Sequence, residues 1–485
     1  MSSLRVATGV EVSESDKPIG SGTSSVKYKE STVATTDGAN DGDDDDDDSQ
    51  SDISYLEDVL EGTIAYKHDE RDPDVCTAEE ARYYRERIRE VEVSEFVRES
   101  IESNVISAKK LLTAFRVKID FGPTEPDTAY YKALGVAIAH ELGKRQRLSQ
   151  YSTIGDAASL LQKASNVMVI TGAGISTSLG IPDFRSKTSG FYSKLRARGF
   201  DQPEQVFDLS EFDYDPSIFY SLAGELLPDL TRYSPTHQFI RLLQDKGKLR
   251  RNYTQNIDNI EANAGIVSDK LIQCHGSWAT ATCRKCGNRV PGRDIFPYIM
   301  AKKVAQCQKC RAALDVQPQM KRKRSGNLAF KKSKRRWGSG EDDDSDDEGQ
   351  YDIPEPGVMK PDITFFGEQL PKQFFDVIKY QDYNVVDLVI VIGTSMKVKP
   401  VSEIPNFLPK GVPHIYISRD PCHHINFDIS LLGDCDLVVA ELCRRAGWEL
   451  KHDMVPKGQT VSATPYREWE PECTWSITPQ KDETA

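Results

Sequence analysis

An α/β fold, a Rossmann-like doubly wound and mainly parallel sheet with a small four-cysteine zinc-binding module and a small helical domain ahead of it, is predicted by three observations on the 485-residue chain. From about residue 156 to 450, helix signals alternate with short, β-branched apolar runs, the pattern of strands buried on both faces by helices. Two C-x-x-C pairs interrupt this region, C-R-K-C at 283–286 and C-Q-K-C at 307–310. Before it, residues 76–150 carry amphipathic, charge-paired stretches of helical period.

Taken in order, residues 1–75 are rich in Ser, Thr, Asp and Gly and contain D-G-D-D-D-D-D-D at 41–48. They offer too little apolar surface to offset the entropy of ordering and read as a disordered acidic segment. In 76–150, A-E-E-A-R-Y-Y-R-E-R-I-R-E-V and S-E-F-V-R-E-S-I-E-S-N-V-I-S-A-K-K-L-L-T-A-F read as helices. The strands expected in the core, 151–450, are Val167–Ile170, Asn252–Thr254, Leu271–Cys274, Ile363–Phe366, Leu388–Ile392, His414–Ile417 and Leu437–Val439. Between them S-P-T-H-Q-F-I-R-L-L-Q-D-K-G marks a helix that Ser234 caps, Pro235 opens and Gly247 closes. The zinc module spans about 277–316, a disordered basic and acidic insert about 317–357, and a C-terminal tail 451–485.

Composition narrows the classes. A net charge of −13 argues against the chain as a whole being a nucleic-acid binder, so direct DNA binding is not expected. M-S-S-L-R-V-A-T-G-V is too short an apolar stretch for a signal peptide, and the most apolar run, V-V-D-L-V-I-V-I-G from 385, is strand-length and holds an Asp. A soluble, intracellular protein with no membrane partner is expected. In a reducing compartment the two C-x-x-C knuckles favour metal over disulfide, and Cys283, Cys286, Cys307 and Cys310 fill a tetrahedral Zn–thiolate shell with no position left for water. That zinc is structural, and the chemistry lies elsewhere.

The candidate site sits at strand ends, where ligands bind in doubly wound sheets. After Val167–Ile170 come Gly172 and Gly174, but the third position of the dinucleotide fingerprint is Thr177. Glycines there let backbone N–H groups approach a pyrophosphate, while a tight turn alone would also explain them. Asp183, Phe184 and Arg185 follow, an acid, an aromatic and a guanidinium that folding does not require. Y-T-Q-N-I-D ends a second strand, and there Asn256 or Asp258 also suits an ordinary helix cap. C-H-G-S ends a third; His275 there suits catalysis, whereas His237, in the first turn of a helix, suits a structural role.

In these residues the chain resembles the sirtuins, NAD-dependent protein lysine deacylases. G-A-G-I-S-T-S-L-G-I-P-D-F-R-S from 172, T-Q-N-I-D from 254, H-G-S from 275, the four cysteines, F-F-G-E from 365 and G-T-S-M-K-V-K-P from 393 fall in family order over roughly 150–450. Residues 76–150 resemble the helical domain of the fungal silent-information-regulator branch. The resemblance implies that NAD is a consumed co-substrate beside one structural zinc. Gly172, Ala173, Gly174, Ile175, Ser176, Asp183, Phe184, Arg185, Gln255, Ile257 and Asp258 would contact it. So would Gly393, Thr394, Ser395, Ser418, Arg419, Asp420 and Cys435. It implies that acetyl-lysine attacks C1′ as nicotinamide leaves, with His275 as general base and Asn256 orienting ribose and water, to give free lysine and 2′-O-acetyl-ADP-ribose. Phe365, Gly367, Glu368 and Val398 would hold the peptide as an added strand, with Phe184, His275 and Phe365 around the acyl-lysine.

Acetylated histone tails are the implied substrates, silencing-complex proteins the implied partners of the helical domain, and chromatin in the nucleus the implied setting. K-R-K-R followed by K-K-S-K-R-R in the insert reads as a bipartite import signal, with nucleic-acid contact or a solvated charge loop as other readings. Mono-ADP-ribosyl transfer would use the same pocket, and a non-catalytic chromatin scaffold would not need His275, Asn256 and Asp258 together. A dehydrogenase is disfavoured, because K-L-R-A-R-G-F occupies the region where a ribose-binding acid belongs.

Overall fold

Strand β1 (Val167–Thr171) is buried along its whole length, and this explains its run of apolar residues without alternation. In the computed structural model it is an interior strand of an eight-stranded sheet. Its companions are β2 (Leu249–Thr254), β3 (Leu271–Gln273), β7 (Leu388–Ile392), β8 (His414–Ser418), β9 (Ile429–Leu432), β10 (Val461–Pro465) and β11 (Thr474–Pro479). The order is β10-β11-β9-β8-β7-β1-β2-β3, parallel throughout except for the antiparallel β10–β11 pair at one edge. The structure describes residues 72–480 other than 120, 122–126, 184–189, 201, 228–230, 317–355, 457 and 467–472. The acidic stretch 41–48 and most of the insert therefore lie outside the described residues. Among those described, no helix is long and apolar enough to cross a membrane.

Two apolar layers sandwich this sheet. On one face Val167, Val169, Leu388, Ile390 and Ile392 pack with Leu161, Phe239, Leu243, Val438 and Leu442; on the other Met168, Ile170, Val389 and Val391 pack with Phe374, Ile404 and Tyr416. The covering helix Pro235–Asp245 starts as its sequence predicts, with Ser234 and His237 in a reciprocal capping box and Pro235 in the first turn. Three strand readings change. Leu437–Val439 lies inside the helix Cys435–Arg445, a buried helix whose apolar run is too short to be told from a strand by period. The run at 363–366 is the end of β6 (Met359–Ile363), which belongs to the smaller sheet. Residues expected as a C-terminal tail supply β10 and β11.

The smaller sheet, order β5-β4-β6, is antiparallel and combines β6 with β4 (Gly276–Cys283) and β5 (Arg289–Pro291). It carries the cysteine knuckles and shares an aromatic core with Phe191, Phe207, Phe219, Trp278 and Phe365. The helical region has its own core of Tyr84, Ile88, Phe96, Leu111, Leu112, Leu134 and Ile138. Thr77 and Glu80 close a capping box on the helix Ala78–Glu90. The second expected helix is broken: Asn104 takes a left-handed φ of 55°, and Ser107 caps a new helix, Ala108–Ala114. This region docks through a buried pair, Arg145 to Asp428 at 3.1 Å, and through Lys144 Nζ donating to His423 O at 3.0 Å.

Candidate active site

The sheet reverses its strand order between β1 and β7, and two glycine loops meet outside their carboxyl ends. Gly174 N donates to Gly393 O at 2.8 Å, and Gly172 N to Ile392 O at 3.1 Å. A Cβ on Gly174 would come within 2.7 Å of Gly393 Cα, and Gly393 itself has φ 64°. Both glycines are thus needed for one backbone to lie on the other. The N–H of Gly174 is spent on that junction and is not a free phosphate donor, which corrects the simple cradle reading of G-x-G. The missing third glycine has a similar explanation. Thr177 opens a 3-10 turn, Thr177–Leu179, after a first turn Ala173–Ile175, so no α-helix has to pack closely there.

Four strand ends then converge. From β1, Ser176 is almost wholly buried and its Oγ donates to Asp258 Oδ2 at 2.8 Å. From β2, Gln255 N donates to Thr171 O at 2.8 Å, and Asn256 N to Thr254 Oγ1 at 3.1 Å. Asp258 Oδ1 accepts Ile260 N at 3.1 Å while its other oxygen faces Ser176, but the N-cap position of the short helix Ile260–Asn263 is Asn259, not Asp258 or Asn256. Burial raises the Asp258 pKa above the ordinary aspartate value. From β7, Thr394 Oγ1 donates to Gln255 Oε1 at 2.6 Å and accepts from Met396 N at 3.1 Å. The amide nitrogens Nε2 of Gln255 and Nδ2 of Asn256 are buried and meet no acceptor. Two orphaned donors beside a buried carboxylate suit the hydroxyls and carboxamide of a nucleotide such as NAD.

His275 follows β3. Its Nδ1 lies 3.1 Å from Gln255 O. A carbonyl only accepts, so Nδ1 carries the proton and Nε2 the basic lone pair. A Cβ at Gly276 (φ 68°) would run into Asp362 O, so the chain can turn from His275 into β4 only through glycine. Thr364 N donates to His275 O at 2.9 Å and ties this turn to the end of β6. His237, by contrast, has Nδ1 2.7 Å from Ser234 Oγ, and burial holds its pKa down at about 3, the signature of a neutral packing group.

The remaining predicted positions divide by place. Ile175 and Ile257 are buried beside the junction. Asp183 O accepts from Phe191 N at 2.7 Å, whereas Phe184 and Arg185 lie outside the described residues. Ala173 and Ser418 are half-buried, while Ser395, Arg419 and Asp420 are exposed. Arg419 Nε donates to Asp434 Oδ1 at 2.6 Å. Cys435 is buried, and burial pushes its thiol up to about 12, so it offers surface and not a nucleophile. Phe365 is buried against Phe207, Phe212 and Phe219, and Gly367 turns at φ 87°. Val398 is half-buried and accepts from Ser402 N.

Sequence reasoning missed Lys360, whose buried ammonium lies 4.1 Å from the Phe365 ring centroid and donates to Glu368 Oε2 and Ile363 O, each at 2.7 Å. Glu368 Oε2 also accepts from Phe365 N at 2.7 Å, so the acid of F-F-G-E pins its own turn. A lysine within the strand sequence M-K-P-D-I was the only signal. His424 was missed too; its Nε2 lies 2.7 Å from Met396 O and holds the loop after β7, where Met396 has φ 53°.

At the cysteine module the four Sγ atoms lie within 4.8 Å of one another, with Cys283–Cys310 and Cys286–Cys307 each at 3.7 Å. Tetrahedral Zn–S bonds of ~2.3 Å require sulfur separations of about 3.8 Å, so the set fits a structural zinc ion.

Sheet, switch-point pocket and four-thiolate module together define a doubly wound α/β protein whose pocket suits a nucleotide and whose cysteines suit a structural metal. Residues 172–400 match the family described as the Sir2 family. The chain is 46% identical over 312 residues to the NAD-dependent histone deacetylase sir2 of Schizosaccharomyces pombe, covering 64% of this chain and 63% of that protein. Against the NAD-dependent histone deacetylase SIR2 of Kluyveromyces lactis it is 48% identical over 325 residues, covering 66% and 46%. Against the SIR2 of Saccharomyces cerevisiae it is 47% identical over 322 residues, covering 66% and 55%. The chain spans roughly half to three fifths of the lengths of these relatives. Over residues 172–400 it carries a Sir2 family domain similar to those of the fungal SIR2 proteins.

Proposed function

We propose that this protein is an NAD-dependent protein lysine deacetylase acting on acetylated histone tails. The observation that carries the reading is the meeting of His275, Asn256, Gln255, Asp258, Ser176 and Thr394 from four strand ends at the switch point, with the amide donors of Gln255 and Asn256 unspent. The relatives' names, NAD-dependent histone deacetylases, support it.

NAD, when bound, supplies a glycosidic bond that releases nicotinamide and an electrophilic C1′ for the acetyl oxygen. The residues' parts in this reading are as follows. Gln255 O fixes the His275 tautomer, so that Nε2 is the nitrogen able to take a proton from a ribose hydroxyl. Asn256 donates its free amide to orient a hydroxyl or water. Asp258, steadied by Ser176, holds a carboxamide. Gly367-Glu368 and the Lys397–Val401 segment would offer backbone to an extended peptide, and the Lys360–Glu368 pair keeps Phe365 in place as its apolar wall. Phe184 and Arg185 would complete the NAD loop, and Ser418, Arg419 and Cys435 the adenosine side.

Silencing-complex partners recruited through the helical region, and nuclear import through the basic insert, belong to the same reading. The deciding experiment is nicotinamide release from NAD with and without an acetylated histone-tail peptide, for wild type and His275→Ala. Peptide-dependent release matched by deacetylation and lost in the variant supports the deacetylase. Release without deacetylation moves the assignment to ADP-ribosyl transfer, and no release from either protein leaves a scaffold.

A further inference from the structure

Glu261 is a buried acid that the proposed reaction does not use. It stands three residues after Asp258, in the short helix Ile260–Asn263, with no solvent exposure. Neither of its carboxyl oxygens meets a hydrogen-bond donor of ordinary geometry. An ionised carboxylate there would have lost its water without replacement, whereas a neutral acid has far less to lose. Asp258 is nearly as buried but accepts from Ser176 Oγ at 2.8 Å and from Ile260 N at 3.1 Å, and both bonds favour its charged form.

The groups set against Glu261 among the described residues are Asp258 on the preceding loop, the Thr254 hydroxyl at the end of β2 and the Cys274 thiol after β3. No cation is among them. Burial pushes the Cys274 thiol up, so it stays neutral. Burial first, and then the Asp258 charge, push Glu261 up to about 8, with the Thr254 hydroxyl opposing only in part. Two acids and no counter-charge leave a single negative charge on the pair; burial raises Asp258 as well, but its Ser176 and Ile260 donors favour the charge there.

We propose that Glu261 is a positioning residue that carries the proton of this pair and so keeps Asp258 as the single anion of the pocket, its own ionisation setting an upper pH limit on NAD cleavage. The proposal rests on the deacetylase reading for its consequence, though not for the proton itself. One segment, Gln255 to Glu261, bears the carbonyl that orients His275, the Asn256 amide and the Asp258 carboxylate. A second charge inside it either drives a proton onto Asp258 or opens the segment to water, and both disarm the pocket.

Glu261→Gln retains shape and cannot ionise. For wild type, kcat/KM for NAD in peptide-dependent nicotinamide release is expected to fall on the alkaline side at about pH 8, and for the variant this limb moves up by about one unit or more. Superimposable profiles would overturn the proposal, as would a folded variant inactive at every pH.

Two readouts need no turnover. Infrared titration of wild type should show a carboxylic-acid C=O band persisting at neutral pH, lost near pH 8 and missing in the variant; its absence at neutral pH from wild type overturns the idea even if the variant does not fold. Thermal melts give the sign. The folded acid holds a proton that the unfolded chain releases above its ordinary value of 4.5, so wild type loses stability relative to Glu261→Gln as pH rises from there to about 8. A melting-temperature gap that does not widen over that window contradicts the proposal. If wild type releases no nicotinamide, the deacetylase reading fails while these two readouts still decide where the proton sits.

Discussion

The cysteine module and the switch-point pocket are two sites in one chain built by opposite means. In the module, ligands lie within 27 residues of one another, and two local knuckles bring them together. In the pocket, Ser176, Asn256, His275 and Thr394 are spread over 218 residues and meet only because four strands end on one rim. The module borrows stability from an ion; the pocket borrows it from the sheet beneath it. Removing one component should therefore unfold the first site and merely silence the second.

The largest effect tests the module. Structural zinc supplies ~10–16 kcal/mol of apparent folding free energy in isolated zinc-finger peptides. Chelation, or Cys310→Ser, should release the metal and melt the β5-β4-β6 sheet, read as zinc content together with circular dichroism; retention of that sheet without metal would mean that the module, like the pocket, is held by its surroundings.

Next comes His275→Ala. General-base catalysis is typically worth ~10²–10⁴ in rate, or about 3–5 kcal/mol of barrier, and this loss should appear in turnover with the melting temperature unchanged. A drop of many degrees would instead make His275 part of the frame.

Gly174→Ala sharpens the comparison from the other side. Its Cβ has nowhere to go against Gly393, so a destabilisation of ~1–3 kcal/mol and NAD binding weakened about tenfold are expected by denaturant titration and calorimetry. The smallest effect is that of Thr394→Val, which deletes the bond to Gln255: ~1 kcal/mol, read as a rise in KM for NAD that Thr394→Ser should largely restore.

How legible each site was follows from the same distinction. C-x-x-C pairs carry their geometry in their spacing, so the thiolate set was readable before any fold was known. β1, β7 and β8 were readable because strands buried on both faces show apolar runs rich in β-branched residues. Leu437–Val439 misled for the same reason: a helix under the sheet shows a short apolar run too. β10 and β11, as V-S-A-T-P and T-W-S-I-T-P, mix polar residues and proline, and only the open edge beyond β9 makes strands of them.

By itself, the sequence determined the residue types the chemistry needs, the metal-ligand spacing and the alternation that makes a doubly wound sheet, since these depend on neighbours within a few turns of chain. Only the tertiary structure decided that Gly174 packs on Gly393 instead of presenting its N–H to a phosphate, that Gln255 O sets the His275 tautomer, and that Glu261 stands without a donor beside Asp258. Desolvation and hydrogen-bond geometry are set by what the fold brings from far along the chain, and no local pattern encodes them.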